Sequence, residues 1–249
     1  MTRLTIQFHG EIEEFLPLAR RGHIFAHEVE GTPAVKDVIE ALGPPHTEVG
    51  AILANGAPVG FAYQVQEGDK IAVYAVSLAD VVTPEQRVCP PVPEEPRFVL
   101  DVHLGRLAAY LRMLGFDTLY ENHCDDDVLA RLSSEQERIL LTRDVGLLKR
   151  GVVVYGYFVR ATQPEAQLAE VARRYHLLGG IQPFARCMRC NGCLATAEKA
   201  EVSAALPANV LTDYEEFRRC QSCGQVYWRG THYQRMQGLI ERLTEAEGA

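Results

Sequence analysis

The sequence predicts an α/β protein in three parts: an N-terminal α+β grasp, a doubly wound parallel sheet and a C-terminal cysteine ribbon. Three observations predict it. Residues 1–80 read strand, strand, helix, strand, strand. A proline-rich break follows, and beyond it strands and helices alternate. Two Cys-x-x-Cys pairs then occupy the last quarter. A chain of 249 residues suits two or three modest domains, and an apolar fraction of 47% lets each bury a core.

In chain order, Leu4, Ile6 and Phe8 alternate as a half-buried strand, and His23 to Val29 can form a second. Val35, Val38, Ile39 and Leu42 fall at helical spacing, with Gly43 as the stop. Ala51 to Ala54 is a short strand, Asn55-Gly56 a hairpin turn, and Lys70 to Val76 the closing strand. Pro84, Pro90, Pro91, Pro93 and Pro96 then interrupt any periodicity and predict a semi-rigid linker. After it, Phe98 to Leu100 is an apolar strand ending at Asp101. Leu104, Leu107, Ala108, Leu111 and Leu114 form one helical stripe stopped by Gly115. Phe116 to Tyr120 is a second strand, and Asp126 is placed to cap a helix that buries Val128, Leu129 and Leu132. Ile139 to Thr142 is a third strand ending near Asp144, and Val152 to Val159 a fourth. Pro164 to Leu178 is a helix with Leu168, Val171, Ala172 and Tyr175 on one side. Met236, Leu239, Ile240 and Leu243 mark a last amphipathic helix that docks on a core.

Charge and targeting signals exclude several classes. Residues 1–96 hold 6 Lys/Arg against 14 Asp/Glu, while the remainder is balanced, so the net charge of −8 belongs to the N-terminal part. The arginine-rich remainder can meet a polyanion but its charge does not demand one. No cationic-then-apolar leader and no run of 18 apolar residues is visible, which predicts a cytoplasmic protein without a membrane span.

The chemistry follows from the carboxylates. In open parallel sheets the ligand crevice lies beyond the C-terminal strand ends. Asp101 and Asp144 stand just past two such ends, and a strand order 2-1-3-4 makes those strands neighbours; Asp126, opening the intervening helix, can complete the set. Three acids in one crevice need a divalent cation, and hard oxygen ligands suit Mg²⁺ or Mn²⁺. Each acid also reads as an ordinary helix cap, and Asp125 or Asp127 can replace Asp126 if the helix starts one residue away. Arg106, Arg112, Arg143 and Lys149 can hold phosphates, or be solvated or paired locally. His103 and His123 read as structural or surface residues.

Cys187-x-x-Cys190 and Cys220-x-x-Cys223 each let a tight turn aim two thiolates at one tetrahedral Zn²⁺. Cys193 makes Cys190-x-x-Cys193 a competing pair. Four thiolates saturate the ion and leave no place for water, so this zinc is expected to be structural. Trp228 and Arg229 follow directly; aromatic and basic residues there can stack on unpaired bases, or Trp228 can pack the ribbon onto the α/β domain.

Several blocks together resemble one family. Phe98-Val-Leu-Asp-Val-His-Leu-Gly-Arg-Leu107, Leu111-Arg-Met-Leu-Gly-Phe-Asp117, Ile139-Leu-Leu-Thr-Arg-Asp144, Arg186-Cys-Met-Arg-Cys-Asn191 and Cys220-Gln-Ser-Cys-Gly-Gln-Val-Tyr-Trp-Arg-Gly-Thr-His232 resemble the Mut-seven C-terminal RNase family. The resemblance implies a PIN-like nuclease fold with an inserted zinc ribbon, RNA as substrate, and Asp101, Asp126 and Asp144 as the metal-binding acids. It also leaves Cys193 outside the zinc set. The PIN-like fold usually offers a fourth acid, and no residue after Asp144 supplies an evident one. Residues 1–80 resemble the ubiquitin-like sulfur-carrier superfamily through Val35–Leu42, Ala51–Gly56 and Gly68-Asp69-Lys70-Ile71. Those carriers use a free C-terminal Gly-Gly; Val76-Ser77-Leu78 offers none, so a docking or stabilising module, with a protein partner as one use, is expected instead.

The expected organisation is a ubiquitin-like domain (1–82), a linker (83–96), a PIN-like domain (97–180) and a zinc ribbon with a terminal helix (181–249). The expected function is metal-dependent hydrolysis of RNA phosphodiesters, with substrate contacts from Arg143, Arg106, Trp228 and Arg229. The competing expectation is a non-catalytic RNA- or ribosome-associated binding module with vestigial acids. A third is an accessory of sulfur transfer.

Overall fold

The structure is a computed structural model that describes residues 1–247, without the side chains of Thr231, His232, Arg235, Met236 and 244–247. Its strands and helices are, in order, β1 (Thr2–His9), β2 (Phe25–Val29), α1 (Val35–Leu42), β3 (Val49–Ala54), β4 (Ala57–Pro58), β5 (Lys70–Ala75), β6 (Phe98–Leu100), α2 (Gly105–Met113), β7 (Thr118–Tyr120) and α3 (Asp126–Glu135). They continue as β8 (Ile139–Thr142), α4 (Val145–Leu148), β9 (Gly156–Phe158), α5 (Pro164–Tyr175), β10 (Leu194–Ala197), α6 (Lys199–Val202), α7 (Ala208–Asp213), β11 (Phe217–Cys220), β12 (Val226–Trp228) and α8 (Thr231–Glu247). Three sheets result: a mixed sheet β2-β1-β5-β3-β4, a four-stranded sheet β7-β6-β8-β9 and a ribbon β10-β11-β12. No helix among the described residues is long and apolar enough to cross a membrane.

The chain forms two compact units. The first comprises Met1–Pro91 and Ala130–Phe158. Its mixed sheet pairs β1 in parallel with β5 and antiparallel with β2, and buries Leu4, Ile6 and Phe8 beneath Val35, Val38, Ile39 and Leu42 of α1. The alternation in β1 and the helical spacing in α1 are what put both apolar faces on one core. Asn55 and Gly56 both have positive φ, as the tight β3–β4 turn requires. Buried Asp69 locks the entry to β5: its carboxylate accepts from Asn55 Nδ2 (2.7 Å), the Tyr63 hydroxyl (2.9 Å) and the Gln66 amide (2.8 Å). Where a sulfur carrier would release a free tail, residues 76–81 fold into a 3₁₀ turn, and a Cβ on Gly50 would meet Val76 Cα at 2.7 Å. The first part of the predicted linker is packed too, with Val88 against the core and its amide bonded to Gly50 O at 3.0 Å.

Residues 130–158 belong to this unit through specific bonds. Glu48, 3% exposed, accepts the Phe158 amide at 2.7 Å. His46 Nε2 donates to Val153 O at 2.9 Å while Nδ1 lies 2.7 Å from Glu40 Oε1. Lys149 Nζ donates to Glu40 O at 2.6 Å, and the Phe15 and Phe158 rings meet edge to face at 5.3 Å. β8 and β9 run parallel with Thr142 level with Phe158. β9 is shorter than the expected strand from Val152, because Gly151 and Val152 form a turn and Val153 bonds back to Arg150 O.

The second unit comprises Val92–Leu129 and Val159–Ala249. β6 and β7 pair in parallel, Leu100 level with Tyr120. Leu107, Ala108 and Leu111 of α2 are buried, as are Leu168, Val171 and Tyr175 of α5, and Phe98 meets Phe116 and Tyr175 edge to face. The ribbon strands are antiparallel and carry their own small core of Ala197, Val202, Val210, Phe217 and Val226. Leu239 and Leu243 of α8 are buried, as the docking helix requires; the Met236 side chain lies outside the described residues.

Candidate functional site

In the second unit, the parallel register fixes where the first acids stand. Asp101 follows Leu100 and Glu121 follows Tyr120, so both come at the C-terminal ends of paired strands. Asp101 is 6% exposed, and its Oδ1 accepts the Val102 amide at 2.6 Å, opening the 3₁₀ turn Val102–Leu104. It is therefore a cap as well as a strand-end acid. The amides of Val128 and Leu129, in the first turn of α3, bond to Asp125 O. Asp125 thus holds the cap position, and Asp126 is the first helical residue.

A cavity of about 650 Å³ opens here, lined by Val102, Glu121, Asn122, His123, Cys124 and Asp125. Burial pushes the Cys124 thiol above its ordinary value, and Glu121, Asp125, Asp101 and Asp126 push it further. Four carboxylates act on one thiol, which marks this corner as a concentrated negative field. Glu121 is the acid that sequence reading missed. The same strand-end rule that picks Asp101 picks it, because β7 ends at Tyr120 as expected and its register sets Tyr120 level with Leu100. Gly105, opening α2, is packed against this corner: a Cβ there would lie 2.6 Å from the Tyr120 hydroxyl, which bonds to Val102 O at 2.9 Å.

Asp144 lies in the first unit, two residues beyond β8. Its amide donates to Thr142 Oγ1 at 2.9 Å, and its Oδ1 accepts the amides of Gly146 (2.7 Å) and Leu147 (3.4 Å), so it caps α4. Arg143 is exposed, its guanidinium 5.9 Å from the Phe158 ring centre, and Arg106 is exposed at the start of α2. Lys149 and Arg112 are not available as phosphate grips. Lys149 is bonded to Glu40 O, and Arg112 is buried.

The four expected cysteines do converge. The sulfurs of Cys187, Cys190, Cys220 and Cys223 all lie within 4.8 Å of one another, Cys187 and Cys220 buried and the other two exposed. They are the one group of three or more candidate metal ligands among the described residues; Asp101, Glu121, Asp125 and Asp126 do not form one. Sulfur separations of 3.7 Å (Cys187–Cys223) and 3.4 Å (Cys190–Cys220) approach the roughly 3.8 Å edge of a tetrahedron with bonds of about 2.3 Å. The Gly192 amide favours a Cys190 thiolate, but desolvation and the three neighbouring sulfurs push Cys190 up to about 12. Burial opposes a Cys220 thiolate, yet the Cys223 and Ser222 amides and the neighbouring thiols bring it down to about 6. Four sulfurs this close need a cation before all can ionise. Cys193 stands apart, its carbonyl accepting the Gln221 amide, which removes the competing Cys190–Cys193 pair.

Buried polar contacts tie this knuckle to α2 and β7. Arg112 donates from Nε to Thr118 O (2.9 Å) and from Nη1 to Met188 O (3.2 Å) and Arg189 O (3.1 Å). Burial draws its guanidinium below the ordinary value, opposed by Cys190, Cys187 and Asp117. Asn191 gives Nδ2 to Asp117 (2.8 Å) and accepts the Thr118 amide (3.0 Å). Trp228 packs on the ribbon's own core, and a Cβ on Gly230 would lie 2.6 Å from its Nε1. Exposed Arg229 pairs with Glu216 at 3.1 Å.

Residues 96–240 match the family described as the Mut7-C RNAse domain, and residues 1–80 match the one described as Mut7-C ubiquitin. No curated protein and no solved structure matches the chain.

Proposed function

The chain belongs to the Mut7-C RNAse domain family and carries that family's ubiquitin-like domain ahead of it; from this premise we propose that it is a metal-dependent ribonuclease that hydrolyses RNA phosphodiesters. As the resemblance implies, Asp101, Asp126 and Asp144 would hold Mg²⁺ or Mn²⁺, with Glu121 as the further acid. The observation that carries this reading is the level placement of Asp101 and Glu121 at two parallel strand ends, beside a thiol that burial raises and that these carboxylates raise further. Hard carboxylate donors fit such a cation. When bound, it would supply an acidified water and charge neutralisation at the phosphate. The protein's own part is positional. The Val102 amide fixes the Asp101 carboxylate, and the Gly146 and Leu147 amides occupy Asp144 Oδ1, leaving Oδ2 for the cation. Exposed Arg106 and Arg143 offer guanidinium groups to the substrate backbone.

The cysteine centre holds one structural Zn²⁺, supported by its all-sulfur donor set and tetrahedral spacing. The test of the nuclease reading is cleavage of labelled RNA with added Mg²⁺ or Mn²⁺. Asp144→Asn should abolish it while zinc content and circular dichroism stay unchanged. Equal cleavage by wild type and variant would refute the assignment. RNA binding without cleavage under either cation would leave the non-catalytic binding module.

A further inference from the structure

The second unit contains a cavity of about 830 Å³ whose lining is unlike a packing defect. Phe184, Tyr227, Trp228 and Tyr233 bring four aromatic rings to it beside Tyr110, with Arg186 and Arg242 as its guanidinium groups among the described residues. Phe184 and Tyr233 stack at 5.0 Å with 24° between planes, and Phe184 meets Tyr227 at 6.5 Å and 70°. Phe184 reaches this position with φ of 59°, a left-handed backbone that a large side chain adopts only when its surroundings impose it. The ring is held where it is at a cost to the chain.

An adjoining cavity of about 490 Å³ shares the same four rings, so they form a ridge with space on both sides. The ridge is anchored to the metal centre, since the Tyr227 hydroxyl lies 3.1 Å from the Cys187 sulfur. Gly230 leaves room for the Trp228 indole, as shown by the 2.6 Å approach a Cβ would make. Arg186 is steadied by Asp117 at 3.4 Å and by Asn191 O at 3.2 Å. Arg242 pairs with Glu165, the cavity's one carboxylate among the described residues, through exposed side chains.

Resting on the ribonuclease reading above, we propose that this groove is the single-strand grip of the protein: unpaired RNA bases stack on the Phe184–Tyr227–Trp228–Tyr233 ridge while Arg186 and Arg242 meet the phosphates. Base faces are accessible only where the strand is unpaired, and every base has one, so the grip selects single strands without selecting sequence. Each guanidinium already keeps a carboxylate partner, Asp117 and Glu165, so the aromatic ridge carries the preference and a phosphate would share those guanidinium groups. Through the Tyr227–Cys187 contact, a Zn²⁺ held by the cysteines would steady this ridge.

The chain's single tryptophan, Trp228, reports on the groove directly. Zinc-loaded full-length protein without added Mg²⁺ or Mn²⁺ is titrated with a single-stranded oligouridylate and with a blunt RNA duplex, reading Trp228 quenching and anisotropy. Single strands should quench and duplex should bind at least about five-fold more weakly. Tyr233→Leu should weaken single-strand binding about five-fold or more, whereas Tyr233→Phe, which keeps the ring, should match wild type. Unchanged binding by Tyr233→Leu, or equal quenching by duplex, overturns the proposal. The two readings fail separately. Quenching without cleavage under any divalent cation refutes the nuclease and leaves the groove standing. Cleavage by a protein whose Trp228 never responds to RNA does the reverse.

Discussion

Arg112→Met removes the guanidinium that joins the cysteine knuckle to the α/β core while nearly keeping side-chain length. In the native chain that group is 5% exposed and serves the carbonyls of Thr118, Met188 and Arg189 at 2.9–3.2 Å, with Tyr120 O at 3.5 Å a marginal fourth. A hydrogen bond from a charged donor is worth about 1.5–3 kcal/mol, and each acceptor left dry costs about 1–3 kcal/mol. These terms overlap, because water can follow the smaller side chain in, so the expected loss is about 3–5 kcal/mol rather than their sum. At about 2–4 °C per kcal/mol for a chain of this size, the melting transition should fall by roughly 10 °C. The assay is thermal unfolding beside zinc release to a chromogenic chelator, which should quicken as Met188 and Arg189 lose their shared donor. Arg112→Lys should recover less than half the loss, since one ammonium cannot serve carbonyls spread around a planar fork. A cost below about 1 kcal/mol with unchanged zinc release would refute the claim that Arg112 docks the knuckle.

Three further outcomes follow from the same geometry. Burial alone would raise the Asp69 carboxyl, but the Gln66, Asn55 and Tyr63 donors hold it below its ordinary 3.8. Its stabilising contribution is therefore full above that value and is lost as pH falls through the lower folded-state value. Asp69→Asn should cost about 2–3 kcal/mol at neutral pH, and the gap to wild type should narrow as pH falls below 3.8 in urea titrations; a gap that stays constant there would count against it. Gly105→Ala should displace the Tyr120 hydroxyl from Val102 O and cut RNA cleavage at least ten-fold with little change in melting temperature, measured as kcat/KM; unchanged kcat/KM would show that this corner is not sensitive to position. Glu48→Ala should cost about 1–3 kcal/mol and speed amide exchange at Phe158, whose donor loses its acceptor; normal protection at Phe158 would mean that the N-terminal sheet does not hold β9.

The cysteine centre was legible because its information is local: two residues between thiols let one turn present both, and two such turns suffice for one ion. The strand-end acids were legible for a related reason, since a carboxylate after an apolar run lands at a sheet's edge whatever surrounds it. Asp144 shows the limit. Cap and ligand readings were alternatives in the sequence, yet in the structure the capping uses Oδ1 alone, so capping does not exclude the other role. Glu121 was overlooked although its strand end was placed correctly at Tyr120, because only the parallel register sets Tyr120 level with Leu100 and so Glu121 level with Asp101. Arg112 and Asp117 were not legible at all, because a guanidinium on an apolar helix looks the same whether it meets water or the carbonyls of residues 188 and 189.

By itself, the sequence determined the local alternation of elements, the thiolate set and the family to which these blocks belong, since periodicity, spacing and motif are properties of neighbours along the chain. Only the tertiary structure decided that residues 130–158 are held by Glu48 and His46, that Arg112 is a brace, and that three aromatic rings share one groove with a positive-φ phenylalanine. Each of those depends on pairings between residues tens of positions apart. Their identity is fixed by which surfaces the folded chain buries against each other, and no local pattern records that choice.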